Sequence, residues 1–86
     1  MQDKEHSNSL VILTKLDSAF GKILKLRRNS VNLSQERLGL ESGLSRSYIS
    51  DLENGKKDPS LFTIFKLANA LDLKPSALIG EVEHTI

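Results

Sequence analysis

The chain has 86 residues, no cysteine and a formal net charge of +1, which allows one domain with a modest core and excludes disulfides and thiolate metal sites. Its two histidines, His6 and His84, stand in polar ends with no partner at ligand spacing, so neither a metal site nor a cofactor is expected. The longest apolar run, Leu10–Leu13, falls far short of the ~20 residues of a membrane-spanning helix, and the polar stretch before it is not the basic leader of a secretory signal. The expectation is a cytoplasmic protein with no membrane partner.

Charge is unevenly spread. Between Lys22 and Lys57 eight basic residues stand against four acidic ones, so this stretch carries +4 and the remainder −3. A basic middle between acidic ends suits nucleic acid, although composition alone favours ordinary solvated charge.

Residues 1–9 are polar and read as disordered. Leu10–Leu16 is an apolar extension that reads either as a strand or as a helical turn. A first helix is expected to start at Asp17 or Ser18, either of which can cap it, and to run to about Asn29. Ala19, Phe20, Ile23, Leu24 and Leu26 give it an apolar side, while Lys22, Lys25, Arg27 and Arg28 crowd its later turns, where cations suit the helix dipole. Asn32 is expected in the left-handed conformation that closes the turn. Ser34 then caps a second helix through Ser42, with Leu38 inward. Gly43 ends that helix because glycine takes a positive φ without steric cost, and Leu44 packs back.

Ser45 caps a third helix, which Asn54-Gly55 ends. Ser60 caps a fourth, with Leu61, Ile64, Phe65, Ala68 and Leu71 at the spacing of a buried face. A last short helix begins at Lys74-Pro75, where proline suits the first turn, and carries Ala77, Leu78 and Ile79. The expected fold is all-α with five helices: an N-terminal extension over 1–16, one domain over 17–80 and a tail over 81–86.

The third helix carries the functional signal. Successive residues are about 100° apart, so Tyr48, Ile49 and Leu52 share an inner side. Ser47, Ser50 and Asn54 point the opposite way, with Arg46 and Asp51 at the edges. A face of short polar side chains can approach another surface closely, and a major groove about 12 Å wide admits such a helix. The Gly43 turn sets the angle at which the second helix holds the third, and the small Gly39 lets the third come near. Two helices joined by a short glycine-containing turn form a DNA-binding arrangement.

The stretch LSQERLGLESGLSRSYISDLENGKKDPSLFTIFKLANAL, Leu33–Leu71, resembles the helix-turn-helix family of phage lambda repressor and Cro, also called the XRE family. The likeness extends over roughly Phe20 to Ile79. It implies a five-helix lambda-repressor-like domain that binds double-stranded DNA in a sequence-specific way, as a homodimeric transcriptional regulator on a two-fold-related operator. Its size and plan are similar to stand-alone members such as phage repressors and restriction–modification controller proteins, with no separate effector domain and no small-molecule ligand expected.

By the same resemblance Gln35 grips a phosphate, and Arg46, Ser47 and Ser50 face bases with Asp51 at the edge. Tyr48, Asn54 and Lys56 match backbone-contacting positions, and Arg28 and Glu53 match an ion pair joining the first helix to the end of the third. Two residues depart from the family pattern. Asp51 sits where nearby phosphates disfavour a carboxylate, and either accepts from a cytosine amino group or pairs with Arg46. Asp72 stands where the family often has glycine. Surplus apolar groups at Leu78, Ile79 and Val82, with Leu10–Leu13 assisting, mark the expected dimer interface.

Two further readings share this fold: a protein-interaction module that has lost DNA binding, favoured by the low net charge and Asp51, and an antitoxin. An enzyme is not expected. The serines are caps or helix-surface residues, neither histidine is near one in sequence, and no glycine-rich phosphate loop follows a strand.

Overall fold

The computed structural model describes residues 13–86. Helix α1 spans Leu16–Ser30, α2 Gln35–Ser42, α3 Arg46–Glu53, α4 Leu61–Ala70 and α5 Pro75–Thr85. No strand occurs among the described residues. His6, residues 1–9 and most of the apolar run, Leu10–Ile12, lie outside the described residues; Leu13 and Thr14 are already helical.

Local chemistry accounts for most of the boundaries. The Ser34, Ser45 and Ser60 hydroxyls accept from the N–H groups of Arg37, Tyr48 and Thr63 at 3.0, 3.1 and 3.1 Å, each satisfying one donor that the first helical turn leaves free. Asn32 and Gly43 take positive φ of 60° and 74°, and each closes its turn. Asp72 does the same between α4 and α5, at φ 58°, in a conformation that aspartate tolerates better than most side chains. Pro75 opens α5 at its first turn.

The start of α1 differs from expectation. The helix begins at Leu16 after Lys15, which supplies no side-chain cap, so Asp17 and Ser18 fall inside the first turn. Asp17 still serves there, because a carboxylate near the helix N-terminus opposes the positive end of the dipole.

Every helix contributes to one core. Leu24 of α1, Leu38 of α2, Ile49 and Leu52 of α3, Leu67 of α4 and Leu78 of α5 are fully buried, with Phe20, Ala19, Ala68, Leu71 and Val82 around them. Helix α1 packs on α3 and α5, α2 packs on α3 and α4, and α4 packs on α5. Each such leucine or isoleucine contributes about 1.5–3 kcal/mol.

Several apolar assignments are corrected. Leu26 is 61% exposed, and on α4 Leu61 and Phe65 are 71% and 52% exposed. The buried face of α4 is Thr63, Leu67, Ala68 and Leu71, with Ile64 at its edge. It is turned by part of a helical turn from the expected stripe. On α5 the expected pairing residues Leu78 and Val82 are core residues of the single chain and have no surface to offer a partner; of the three, only Ile79 is exposed. Helix α5 also continues through Thr85, so most of the expected tail at 81–86 is helical.

Candidate nucleic-acid interface

Helix α3 is seated by two close approaches of backbone. At its start, a Cβ on Gly39 of α2 would stand 2.6 Å from the carbonyl oxygen of Leu44, so only glycine lets the turn fold this tightly onto α2. The Leu44 N–H donates to the Gly39 carbonyl at 2.9 Å within that turn. At the far end, a Cβ on Gly21 of α1 would stand 2.4 Å from the Leu52 carbonyl oxygen and 2.6 Å from that of Glu53. The last turn of α3 therefore lies directly on the α1 backbone.

A salt bridge fastens the same end. The Arg28 guanidinium donates through Nε to Glu53 Oε2 at 2.6 Å and through Nη2 to Glu53 Oε1 at 3.0 Å. Its Nη1 reaches the Leu33 carbonyl at 2.8 Å and Asn29 Oδ1 at 3.2 Å. The hydrogen bonds to Glu53 hold the guanidinium pKa above its ordinary value; burial pulls it down, and the carboxylate charge adds to the rise. Gln35, the first residue of α2, also donates to Glu53 Oε1, from Nε2 at 3.0 Å. Three helices thus meet at one carboxylate.

With Ile49 and Leu52 in the core and Tyr48 half-buried against it, the opposite side of α3 is left to solvent. Gln35, Arg46, Ser47 and Ser50 line one open recess between the start of α2 and α3. The Ser34 hydroxyl takes the Arg37 N–H, which leaves the N–H groups of Gln35 and Glu36 at the helix start for an external acceptor. Asn54 is exposed and donates to Ser50 Oγ at 3.5 Å. Lys56 is exposed in the loop after α3, and its N–H donates to the Asp51 carbonyl at 2.9 Å.

Charge on this side is positive and available. Among the described residues, ion pairs engage Arg27 with Glu81, Arg28 with Glu53 and Arg37 with Glu41, but none engages Arg46, Lys56 or Lys57. Asp51 is half-buried and makes no ion pair with Arg46; five residues along a helix turn the two side chains about 140° apart. No cluster of His, Asp or Glu among the described residues could hold a metal ion, and none of their helices is long and apolar enough to cross a membrane.

Sequence reasoning missed two elements of this arrangement. Gly21 is as crowded as Gly39, and the same signal, a glycine inside a helix where alanine is about 1 kcal/mol better, would have marked it. The Gln35–Glu53 bond has no sequence signal, since it joins residues 18 positions apart across two helices.

Comparison with known proteins bears on this surface. The helix-turn-helix family model HTH_3 matches residues 24–78. The chain is similar to the control protein C.BamHI of Bacillus amyloliquefaciens, 41% identical over 58 residues, covering 67% of this chain and 72% of that protein. It is 39% identical over 61 residues to the immunity repressor of Bacillus phage phi105, covering 71% of this chain and 42% of that protein. Among solved structures, the restriction-modification controller protein C.AhdI of Aeromonas hydrophila is 45% identical with a TM-score of 0.71, covering 72% of this chain and 94% of that one.

Proposed function

The chain belongs to the helix-turn-helix family HTH_3, and from that premise we propose that it is a sequence-specific, double-stranded-DNA-binding transcriptional regulator that acts as a homodimer on a two-fold-related operator. The observation that carries this reading is the division of α3. One side is locked into the core by Ile49 and Leu52, and the other presents Arg46, Ser47 and Ser50 beside the start of α2. In this reading α3 lies in the major groove, with Arg46, Ser47 and Ser50 toward base edges and Asp51 at the margin. Gln35 and the free N–H groups at the start of α2 take a phosphate. Tyr48, Asn54 and Lys56 serve the flanking backbone, which positions the protein without carrying sequence information.

A single helix contacts few base pairs, and each wrong pair costs about 1–3 kcal/mol, so two-fold pairing is what gives useful discrimination. With Leu78 and Val82 committed to the core, the exposed large apolar side chains of the C-terminal half are Leu61, Phe62 and Phe65 on α4, Ile79 on α5 and the terminal Ile86, and pairing falls to the group on α4 with Ile79. Large exposed apolar groups so concentrated on one short helix mark an interaction surface. A regulator of this kind works where the DNA is, which in a bacterium or its phage is the cytoplasm. The relatives, named as control proteins and an immunity repressor, favour transcription control over the interaction-module and antitoxin readings.

Selection from a pool of random duplexes tests the proposal directly. The expected product is a pair of inverted half-sites about one helical turn, or a multiple, apart, bound with an affinity that falls steeply with salt. Failure to enrich any duplex at low ionic strength would return the interaction module to first place.

A further inference from the structure

The contact between Gln35 and Glu53 does more than add one bond to the brace at the foot of α3. Glu53 Oε1 accepts from both Arg28 Nη2 and Gln35 Nε2, each at 3.0 Å, and the Glu53 side chain is almost wholly enclosed. A carboxylate in the last turn of a helix faces the negative end of the dipole, so α3 gains nothing locally from having it there. Its value lies in what it accepts from the other two helices. An ionised carboxylate only accepts, whereas a carboxamide offers either two donors or an acceptor depending on which way it is turned. Glu53 therefore selects one orientation of the Gln35 side chain, with the amide nitrogen toward it. One Nε2 hydrogen is then occupied, and the second remains for another acceptor.

We propose that Glu53 is a positioning residue for the DNA contact. It holds the Gln35 carboxamide so that the second Nε2 hydrogen and the free N–H groups at the start of α2 serve the same phosphate. Because Glu53 belongs to α3, the phosphate grip and the seat of the recognition helix are then one mechanical unit, and Arg28 holds its carboxylate in place through two hydrogen bonds. This rests on the reading of Gln35 as a phosphate contact.

The experiment uses the full chain and its selected duplex, with each operator phosphate replaced in turn by a neutral methylphosphonate. In the unmodified protein one replacement is expected to weaken binding about tenfold, the loss of a charge-assisted hydrogen bond, and Gln35→Met identifies it by clearly reducing that sensitivity, with the backbone N–H groups at the start of α2 keeping the remainder. Glu53→Met removes the acceptor from Gln35, while the Leu33 carbonyl and Asn29 Oδ1 still accept from the Arg28 guanidinium, and is expected to reduce the same sensitivity to the same extent as Gln35→Met while preserving base preference. If Glu53→Met weakens binding to all duplexes alike and keeps the full response at that phosphate, Glu53 is only structural and the proposal is overturned. If Gln35→Met alters the response at no phosphate while DNA is still bound, the contact reading fails and the proposal falls with it. If the unmodified protein binds no duplex, the failure lies in the proposed function itself. A second measurement holds even if Glu53→Met does not fold. In the free unmodified protein, the two Gln35 Nε2 protons should exchange with water at clearly different rates by NMR, and equal rates would overturn the assignment.

Discussion

Arg28 and Glu53, 25 residues apart, close α1 onto the last turn of α3 through two N–H···O bonds of 2.6 and 3.0 Å, with the glutamate side chain 3% exposed. Such a pair reveals its importance when one half is removed. Glu53→Ala leaves a buried guanidinium without its counter-charge, a change that costs about 3–5 kcal/mol in comparable sites. The low end is expected here, because Asn29 Oδ1 and the Leu33 carbonyl remain as acceptors. Replacing both partners at once, Arg28→Met with Glu53→Leu, should recover most of the loss. Urea denaturation checks both, as a lowered midpoint with an unchanged slope.

The two helical glycines of α1 and α5 should respond in opposite ways to alanine. At Gly21 the new methyl would meet the Leu52 and Glu53 carbonyl oxygens, which belong to backbone and cannot turn aside. Gly21→Ala is expected to destabilise by about 1–3 kcal/mol, the range for overpacking, despite the better helix propensity of alanine. At Gly80 nothing stands within 4 Å of the added Cβ, and Gly80→Ala should stabilise by about 0.5–1 kcal/mol. Thermal unfolding of the two variants side by side decides the matter.

Arg46 and Lys56 should separate base reading from phosphate binding. Arg46→Ala is expected to relax preference at one or two operator positions, at about 1–3 kcal/mol of lost discrimination. Lys56→Ala should weaken selected and unrelated duplexes by similar factors and lower the salt dependence by about one unit of slope. Titrations of both variants against the selected site and a scrambled one, at two salt concentrations, distinguish the outcomes.

Self-association should be sensitive to α4 and indifferent to its fold. Phe65 is half exposed, so Phe65→Glu leaves the core intact and places two like charges across a two-fold contact. Sedimentation equilibrium is expected to show the unmodified chain as a dimer at tens of micromolar and the variant as a monomer, with unchanged helical circular dichroism. A monomeric unmodified chain at those concentrations would move the pairing surface elsewhere.

What the sequence showed, and what it concealed, divides along locality. Caps at Ser34, Ser45 and Ser60 and the left-handed Asn32 and Gly43 are decisions made within four or five residues, where one side chain or one φ settles the outcome. The inner side of α3 was equally plain, since its polar and apolar residues are cleanly parted. Helix α4 was not. Leu61, Phe62, Ile64, Phe65, Leu67 and Leu71 spread around most of its circumference, so periodicity admits more than one buried face, and the choice was made by α2 and α5 packing against Leu67 and Ala68. The same limit misplaced Leu78 and Val82, whose apolar character suits a core and a partner equally well. At the proposed contact surface, the outward positions of α3 followed from helical geometry alone and the Arg28–Glu53 pair from the family resemblance, whereas the added bond from Gln35 to the same carboxylate depends on three helices being in register.

The separation of α3 into a buried side and an open side has an evolutionary consequence. Residues 46, 47 and 50 lie outside the hydrophobic cluster that holds the helix, so under the proposed function exchanging them is expected to alter which operator is recognised while leaving the folded state nearly as stable. Libraries randomised at these three positions should yield mostly folded proteins with divergent targets, and a duplicated copy of the gene could acquire a new regulatory circuit through a handful of substitutions on a single helix.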